Sequence, residues 1–266
     1  MEAAPIYADR ENDGRRALVA VTPTATNPQV TRLDDWIFRV CPTDVDGARA
    51  LARFIIDSVR ARNPAVIYRN DLFGRGFTRA LGRELEAAGI TIAERNPYLV
   101  DVTEYDAYTA RIARRGVDAL IVAGAGPDAG PIIKSLHAAG SRVPVLGSDD
   151  FGALREAADP TGDYEGVRYI MFFDRDRATG AAAKFVSDYH QRFGQFPNHQ
   201  AALSYDAAMI IGKAVLAAGP DRRRVRDWIA RIGRDVPAHD GVTGSIRFDD
   251  VGDPIEKQVV IGRVGR

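Results

Sequence analysis

The stretch Ala65–Gly89, with the sequence A-V-I-Y-R-N-D-L-F-G-R-G-F-T-R-A-L-G-R-E-L-E-A-A-G, decides the fold. It begins with a short apolar run, Ala65–Tyr68, that is typical of a buried strand. From Phe77 to Ala88 the apolar residues recur at three- and four-residue steps, which predicts an amphipathic helix, and Gly89 is a typical residue to end it. The stretch is therefore predicted to form a strand, a turn and a helix, the repeating unit of a parallel α/β sheet.

The same alternation continues on both sides of this stretch. Upstream, Asp44 is a plausible N-cap for a helix whose apolar residues run to Val59. Downstream, strands are predicted at 91–98, 119–123, 143–146 and 167–173, and helices at 104–115 and 131–139. This pattern indicates a doubly wound lobe with a parallel sheet covered on both faces. Beyond it, helices are predicted at 178–193, 199–218 and 221–232, and strands at 244–248 and 257–264.

Composition excludes several classes of function. The 266 residues carry 36 Lys and Arg against 36 Asp and Glu, so no excess positive charge points to a nucleic-acid partner. Cys41 is the single cysteine, which excludes an intrachain disulfide and a cysteine-based zinc site. The four histidines are scattered without metal-ligand spacing. We therefore expect no metal, no cofactor and no nucleic acid.

A second informative segment, Val19–Leu33, runs from a short β-branched strand into a turn rich in threonine. Pro23 and Pro28 hold the backbone of this turn open. Threonine hydroxyls, those of Thr24 and Thr26 among them, and the amides of the turn can receive a carboxylate without a metal or a histidine. The alternative is a loop in which the threonines bond only their own backbone.

Five short segments stand in a characteristic order along the chain. They are Val19–Pro28, Trp36–Arg39, Ile67–Gly76, Ser204–Ala207 and Thr243–Asp249. Together they resemble the branched-chain amino-acid (Leu/Ile/Val) binding proteins, the substrate-binding receptors of ABC transporters with the type I periplasmic-binding-protein fold. The resemblance extends from about Pro5 to the C-terminus. Each segment alone is weak, whereas five in the correct order make a strong match.

The resemblance implies an α/β fold with two doubly wound parallel-sheet lobes joined by a three-strand hinge. The first lobe would comprise residues 1–40 and 174–252, and the second lobe residues 41–173 and 253–266. No apolar run appears long enough to span a bilayer, and the N-terminus lacks the pattern of a signal peptide. In the family the threonine-rich turn lies much further into the mature protein. We therefore expect a truncated first lobe that has lost its initial βα units together with any export signal.

The resemblance also implies a ligand site. The α-carboxylate would bind the Thr26 hydroxyl and the amides near Thr24 and Ala25. Asp149 would pair with an α-ammonium, although it could instead be a helix N-cap. The other implied contacts are Phe73 as an apolar wall or a plug of the core, Ala125 and Gly126 as small residues of a roomy pocket, and Gln200 beside the ligand's side chain.

The implied function is capture without catalysis. The receptor would hold an amino acid or a related small polar molecule between two lobes and deliver it to the membrane permease of an ABC importer. It would work in the periplasm or outside the cell. An alternative with the same fold is the ligand-sensing domain of a receptor or of an amide-responsive regulator.

A second alternative is a dinucleotide-dependent oxidoreductase. The segment Gly124–Gly130, G-A-G-P-D-A-G, follows a predicted strand and imitates the G-x-G-x-x-G fingerprint. Its third glycine comes one residue late, which turns that position about 100° around the helix, away from the strand it must approach. The spacing therefore argues against this alternative.

Overall fold

The computed structural model describes residues 4–9 and 16–265. They form two compact units: unit 1 is Met1–Thr43 with Phe172–Gln258, and unit 2 is Asp44–Met171 with Val259–Arg266. The two predicted lobes, residues 1–40 with 174–252 and residues 41–173 with 253–266, stay a prediction. In chain order the elements are α1 (Ala4–Ala8), β1 (Ala20–Thr22), β2 (Ile37–Arg39), α2 (Asp44–Phe54), β3 (Pro64–Arg69), α3 (Leu72–Ala87), β4 (Glu94–Tyr98), α4 (Asp106–Arg114), β5 (Ala119–Ala123), α5 (Gly126–Ala138), β6 (Val145–Gly147), β7 (Arg168–Met171), α6 (Gly180–Phe193), α7 (His199–Ala218), α8 (Arg222–Ala230), β8 (His239–Gly241), β9 (Gly244–Ile246) and β10 (Val260–Arg263).

Unit 2 is built on a six-stranded sheet in the order β10-β7-β6-β5-β3-β4. Five of its strands are parallel, and β10 pairs antiparallel with β7. All five residues of β5 are buried. Leu120 and Val122 belong to one apolar cluster, and Ala119, Ile121 and Ala123 belong to the other. Because the two clusters lie on opposite faces of the strand, the predicted parallel sheet with both faces covered is confirmed.

Unit 1 contains shorter strands. Parallel strands β1 and β2 form one two-stranded sheet, and the antiparallel pair β8 and β9 forms a second. Helix α7 packs against α8 and β1. Strand β8 was not predicted, since its sequence His239–Gly241 has neither alternation nor β-branched residues.

Helices α3 and α5 of unit 2 start earlier than predicted, α3 at Leu72 and not at Phe77. Helix α5 starts at Gly126 and carries Pro131 inside it, whereas the sequence suggested a start at Pro131. The helix can start earlier because its first-turn amides need no intrahelical partner, so Pro127 is tolerated there. After α2, the residues Ile55–Val59 continue as a π-helical turn that ends at Arg60 with a positive φ of 60°.

Helix α7 corrects one sequence expectation. Its 20 residues are long and apolar enough, by length and composition, to cross a membrane. The same helix carries the charged residues Asp206 and Lys213, and its buried face contacts the rest of unit 1. Such a helix is weak evidence of a membrane span, since the core helices of globular domains pass the same test.

The junction between β3 and α3 allows a matched pair of glycine substitutions. A Cβ on Gly74 would lie 2.0 Å from the carbonyl oxygen of Arg69, whereas a Cβ on Gly76 would meet nothing within 4 Å. We expect Gly74→Ala to lower the free energy of unfolding by about 3 kcal/mol, because a backbone oxygen cannot move aside. Gly76→Ala should raise it by about 0.5–1 kcal/mol, because alanine is the better helix former.

Chemical denaturation followed by circular dichroism measures both effects. Equal effects of the two substitutions would contradict the close approach of Gly74 to the carbonyl oxygen of Arg69.

Candidate functional site

The carboxyl end of β3 leads into a rigid turn. Asp71 is the N-cap of α3: its carboxylate accepts a hydrogen bond of 2.8 Å from the Gly74 amide and one of 2.5 Å from Arg69 Nε. Phe73 lies in the first turn of α3, half-buried, with its ring centroid 5.7 Å from that of Phe77. It packs on the core cluster beneath α3, as the core-plug interpretation requires. The role of its exposed part as a ligand wall stays a prediction.

Asp149 follows β6 at the same edge of the sheet. Ser148, the residue before it, is the N-cap of a 3₁₀-helix at Asp149–Arg155, and its hydroxyl donates to the Gly124 carbonyl oxygen at 2.9 Å. The interpretation of Asp149 as an N-cap is therefore wrong, because Ser148 holds that position. Asp149 is the first residue inside the short helix.

The environment of Asp149 disfavours its negative charge. Burial by the surrounding protein, together with the smaller effects of the neighbouring carboxylates of Asp150 and Asp44, raises the pKa of Asp149 to about 7. The pKa of Asp150 is also raised, chiefly by burial, while Arg69 opposes that shift. A cation placed beside Asp149 would therefore stabilise an ionised form that the protein alone does not favour.

This pKa predicts how stability depends on pH. Asp149 binds its proton more tightly in the folded state than in the unfolded state, where the pKa is near 3.8. The folded protein therefore loses stability as the pH rises from about 4 to about 7, by up to about 4 kcal/mol at 1.36 kcal/mol per pKa unit. We expect Asp149→Asn to remove this loss, because the amide does not ionise.

The measurement is the free energy of unfolding of the wild type and of Asp149→Asn without ligand, at about pH 4.5 and about pH 8. The variant should gain on the wild type only at the higher pH. A difference that stays constant with pH would contradict the assignment.

The start of α5 is closed by a carboxylate. Asp128 accepts hydrogen bonds from the Ala125 amide at 3.1 Å and from the Tyr98 hydroxyl at 2.6 Å. Burial and the Asp128 carboxylate raise the pKa of Tyr98, and they raise that of Tyr105 to about 12. A pyrophosphate at this helix start would face the carboxylate of Asp128 in place of free amides. The dinucleotide alternative is therefore not supported by the geometry.

Gly126 has a structural reason to lack a side chain. A Cβ there would lie 3.0 Å from the Asp150 carbonyl oxygen and 3.4 Å from the Ala153 methyl. The space beside Gly126 is thus filled by the 3₁₀-helix, and Gly126 offers no support for a roomier pocket. Ala125, the N-cap of α5, is half-buried. Contact of either residue with a ligand stays a prediction.

The threonine-rich turn of unit 1 satisfies part of its own hydrogen bonding. The Ala25 amide donates to Thr22 Oγ1 at 3.2 Å. Thr22 therefore bonds the backbone of its own loop, as the alternative interpretation of this turn predicted. The Ala25 methyl packs with Val30 and Ile37. Thr24 is exposed and Thr26 is buried. Carboxylate binding by Thr26 and by the amides near Thr24 and Ala25 stays a prediction.

Arg39 is the residue that sequence reasoning missed. Its side chain is fully buried, and Nη1 donates to the carbonyl oxygens of Ala25 at 2.8 Å and of Asn27 at 2.7 Å. The Arg39 Nε donates to Asp253 at 3.0 Å, and the Thr31 hydroxyl donates to the same carboxylate at 2.7 Å. Arg39 therefore fixes the shape of the threonine-rich turn. The signal was available, since this arginine ends one of the five family segments.

Gln200 is the second residue of α7 and is half-buried. Before it, the buried His199 ring lies 5.3 Å from the ring of Phe172, and burial lowers the pKa of His199 to about 4. The role of Gln200 beside a ligand stays a prediction. Further along α7, Asp206 accepts hydrogen bonds from the amides of Val242 at 2.8 Å and Thr243 at 2.9 Å, so it anchors the β8–β9 hairpin.

Comparisons with known proteins agree with this architecture. A family model described as "Periplasmic binding protein" matches residues 4–265. An amino acid binding protein of Pseudomonas aeruginosa is 25% identical over 80% of this chain and 57% of its own length. A Leu/Ile/Val-binding protein homolog of Brucella abortus is 24% identical over 95% of this chain and 65% of its own length. The chain thus spans less than two thirds of these relatives.

A solved structure supports the same conclusion. The leucine binding protein LivK of Thermotoga maritima superimposes with a TM-score of 0.86 at 25% identity, over 98% of this chain and 72% of its own. The predicted α/β fold of the type I periplasmic binding proteins is confirmed. Because the family model covers residues 4–265, the chain belongs to the periplasmic binding protein family.

Proposed function

We propose that this chain belongs to a solute-binding receptor that captures an amino acid for an ABC importer. The match to the family model over residues 4–265 is the observation that carries the proposal. Relatives named for amino acid binding and for Leu/Ile/Val binding support the ligand class. A periplasmic or extracellular location and a membrane permease as partner are part of the proposal.

The charge at the carboxyl edge of the unit 2 sheet favours a ligand with a positive group. Two carboxylates, those of Asp128 and Asp150, interact electrostatically with the single guanidinium of Arg69. Asp149 adds a third carboxylate, whose ionised form is disfavoured. An α-ammonium is compact, carries several donors and would lower the pKa of Asp149. We therefore assign the ammonium of the ligand to Asp149.

Recognition of the other parts of the ligand rests on the sequence predictions. We propose that the ligand's carboxylate binds Thr26 and the amides of the threonine-rich turn. The buried guanidinium of Arg39 holds the backbone of this turn. The aliphatic part of the ligand would pack against Phe73. Capture needs no nucleophile and no proton transfer to the ligand, because exclusion of water alone strengthens such polar contacts.

A thermal-shift screen with matched ligands tests this proposal. Leucine is compared with 4-methylpentanoate, which lacks the ammonium, and with isopentylamine, which lacks the carboxylate. A ligand at a hundredfold excess over its dissociation constant stabilises the folded state by about 2.7 kcal/mol, which is a measurable shift. We expect leucine or another amino acid to raise the melting temperature and both analogues to fail. Stabilisation by methylpentanoate as strong as that by leucine would refute the ammonium site.

A further inference from the structure

Unit 1 contains a groove that the proposed function does not use. It lies between α6 and α7, is closed at one end by β8, and has a volume of about 770 Å³. We call it the α6–α7 groove and define it by Phe185, Tyr205, Met209, Lys213 and His239. Its volume falls within the range of about 300–1,000 Å³ that is usual for small-molecule sites.

The apolar part of the groove is a row of aromatic rings. The Phe185 ring lies 4.9 Å from the Tyr205 ring and 5.8 Å from the Tyr189 ring, and the Phe193 ring lies 4.6 Å from that of Tyr189. Phe193 is 55% exposed, and Tyr205 and Met209 are also exposed. The groove therefore leaves large apolar side chains in contact with water, although they would gain from being covered.

The polar end of the groove presents donors. Lys213 Nζ lies 3.1 Å from His239 Nδ1. Because an ammonium can only donate, Nδ1 must accept, so His239 is neutral and carries its proton on Nε2. Burial lowers the pKa of His239, and the charge of Lys213 lowers it further, in agreement with that state.

Two of the donors at this end lack an acceptor within the part of the chain that the structure describes. His239 is buried, and its Nε2 has no hydrogen-bond partner there, since Asp206 Oδ1 is 3.9 Å away. Lys213 spends one donor on His239 and forms no ion pair with a described carboxylate. The buried Nε2 of His239 therefore favours an incoming acceptor. Lys213 is exposed, and its remaining donors are accessible to the same group.

Two cationic side chains of the groove are available to an anion. Lys184 on α6 is neutralised by Asp188 at 2.6 Å, and Asp206 is committed to the β8–β9 hairpin. Lys213 and Arg192 remain without a carboxylate partner among the described residues, against the exposed carboxylate of Asp240. The lining as a whole carries equal numbers of basic and acidic side chains, but Lys213 and Arg192 place two cations without such a partner beside the apolar wall.

We propose that the α6–α7 groove is a second binding site, for a small carboxylic acid with an apolar body. The carboxylate binds Lys213, and the apolar body lies against Phe185, Tyr205 and Met209. None of the residues that line the groove is a predicted contact of the proposed amino-acid site, so the two sites can be tested separately.

Methionine methyl signals provide a local test. The chain has three methionines. Met209 lines the groove, Met171 lies in β7 of unit 2, and Met1 lies outside the described residues. Phenylbutyrate is titrated into protein labelled with carbon-13 at the methionine methyls. We expect a saturable shift of Met209 with a dissociation constant of about 0.1–1 mM, and no shift of Met171.

Variants and analogues distinguish a carboxylate-specific site from non-specific apolar contact. Lys213→Gln should weaken binding about tenfold or more, and Lys213→Arg should restore it within about threefold. Lys184→Gln is the matched control, because its ammonium lines the same groove but is already paired, and it should change affinity less than about twofold. Phenylbutanol and phenylbutylamine should bind at least about tenfold more weakly than phenylbutyrate.

Three results would overturn the proposal. The Met209 signal could stay unmoved up to about 10 mM phenylbutyrate, which is at least about tenfold above the expected dissociation constant. It could respond equally to phenylbutanol or be unaffected by Lys213→Gln, which would show apolar contact alone. It could shift with protein concentration in the absence of ligand, which would make the occupant a second copy of the chain.

Discussion

Replacing Arg39 with alanine is expected to destabilise unit 1 by about 3–5 kcal/mol, the usual effect of breaking a buried ion pair. The Arg39 side chain is fully buried and that of its partner Asp253 is 14% exposed. The substitution leaves the Asp253 carboxylate without its cation and the carbonyl oxygens of Ala25 and Asn27 without their donor. The threonine-rich turn should lose its fixed shape in the same event.

Tryptophan fluorescence during chemical denaturation isolates this effect. The chain has two tryptophans, Trp36 and Trp228, and both belong to unit 1. Arg234→Ala is the matched control, because its pair with Asp250 lies in the same unit with side chains 47% and 93% exposed. The control should cost less than about 1 kcal/mol. Equal losses for the two variants would contradict the central role of Arg39.

Replacing Asp149 with alanine is expected to weaken leucine binding by about 3 kcal/mol, which is more than about a hundredfold in affinity. The reason is that the ammonium of leucine would then be desolvated without a counter-charge. The pKa of Asp149, raised to about 7, means that the wild type also binds more weakly as the pH falls below that value. The variant should lose this pH dependence together with the affinity.

Asp150→Asn is the control for Asp149→Ala. Asp150 is the adjacent carboxylate, and more of its surface is accessible to water than that of Asp149, so its loss should change the affinity by less than about threefold. Isothermal titration calorimetry gives both affinities. If the two variants weaken binding equally, the general negative potential of this edge, and not Asp149, recognises the ammonium.

Local sequence patterns predicted the regular elements well. The bounds of β5 at Ala119–Ala123 and of α7 at His199–Ala218 agree with the prediction, because an unbroken apolar run and a long helical period are strong local signals. Phe73, Ala125 and Asp149 follow the ends of parallel strands, where the alternation placed them.

Long-range contacts were beyond such patterns. Arg39 meets Asp253, which is 214 residues away, and no local signal connects the two. The start of α5 depends on Asp128 reaching back to the Ala125 amide, a capping contact that the nearby Pro131 obscured. The α6–α7 groove arises from the packing of two helices and a hairpin, each of which has an unremarkable sequence. These features needed the tertiary structure.

Calorimetry of leucine binding at about pH 6 most directly tests recognition of the ammonium by Asp149. The titration is repeated in two buffers with different ionisation enthalpies, which reveals the number of protons exchanged on binding. With a pKa of about 7, Asp149 is largely protonated at this pH without ligand. We expect saturable binding with release of close to one proton per leucine, falling towards zero at about pH 8. Absence of leucine binding, or binding that releases no proton at about pH 6, would contradict an amino-acid receptor that recognises the ammonium through Asp149.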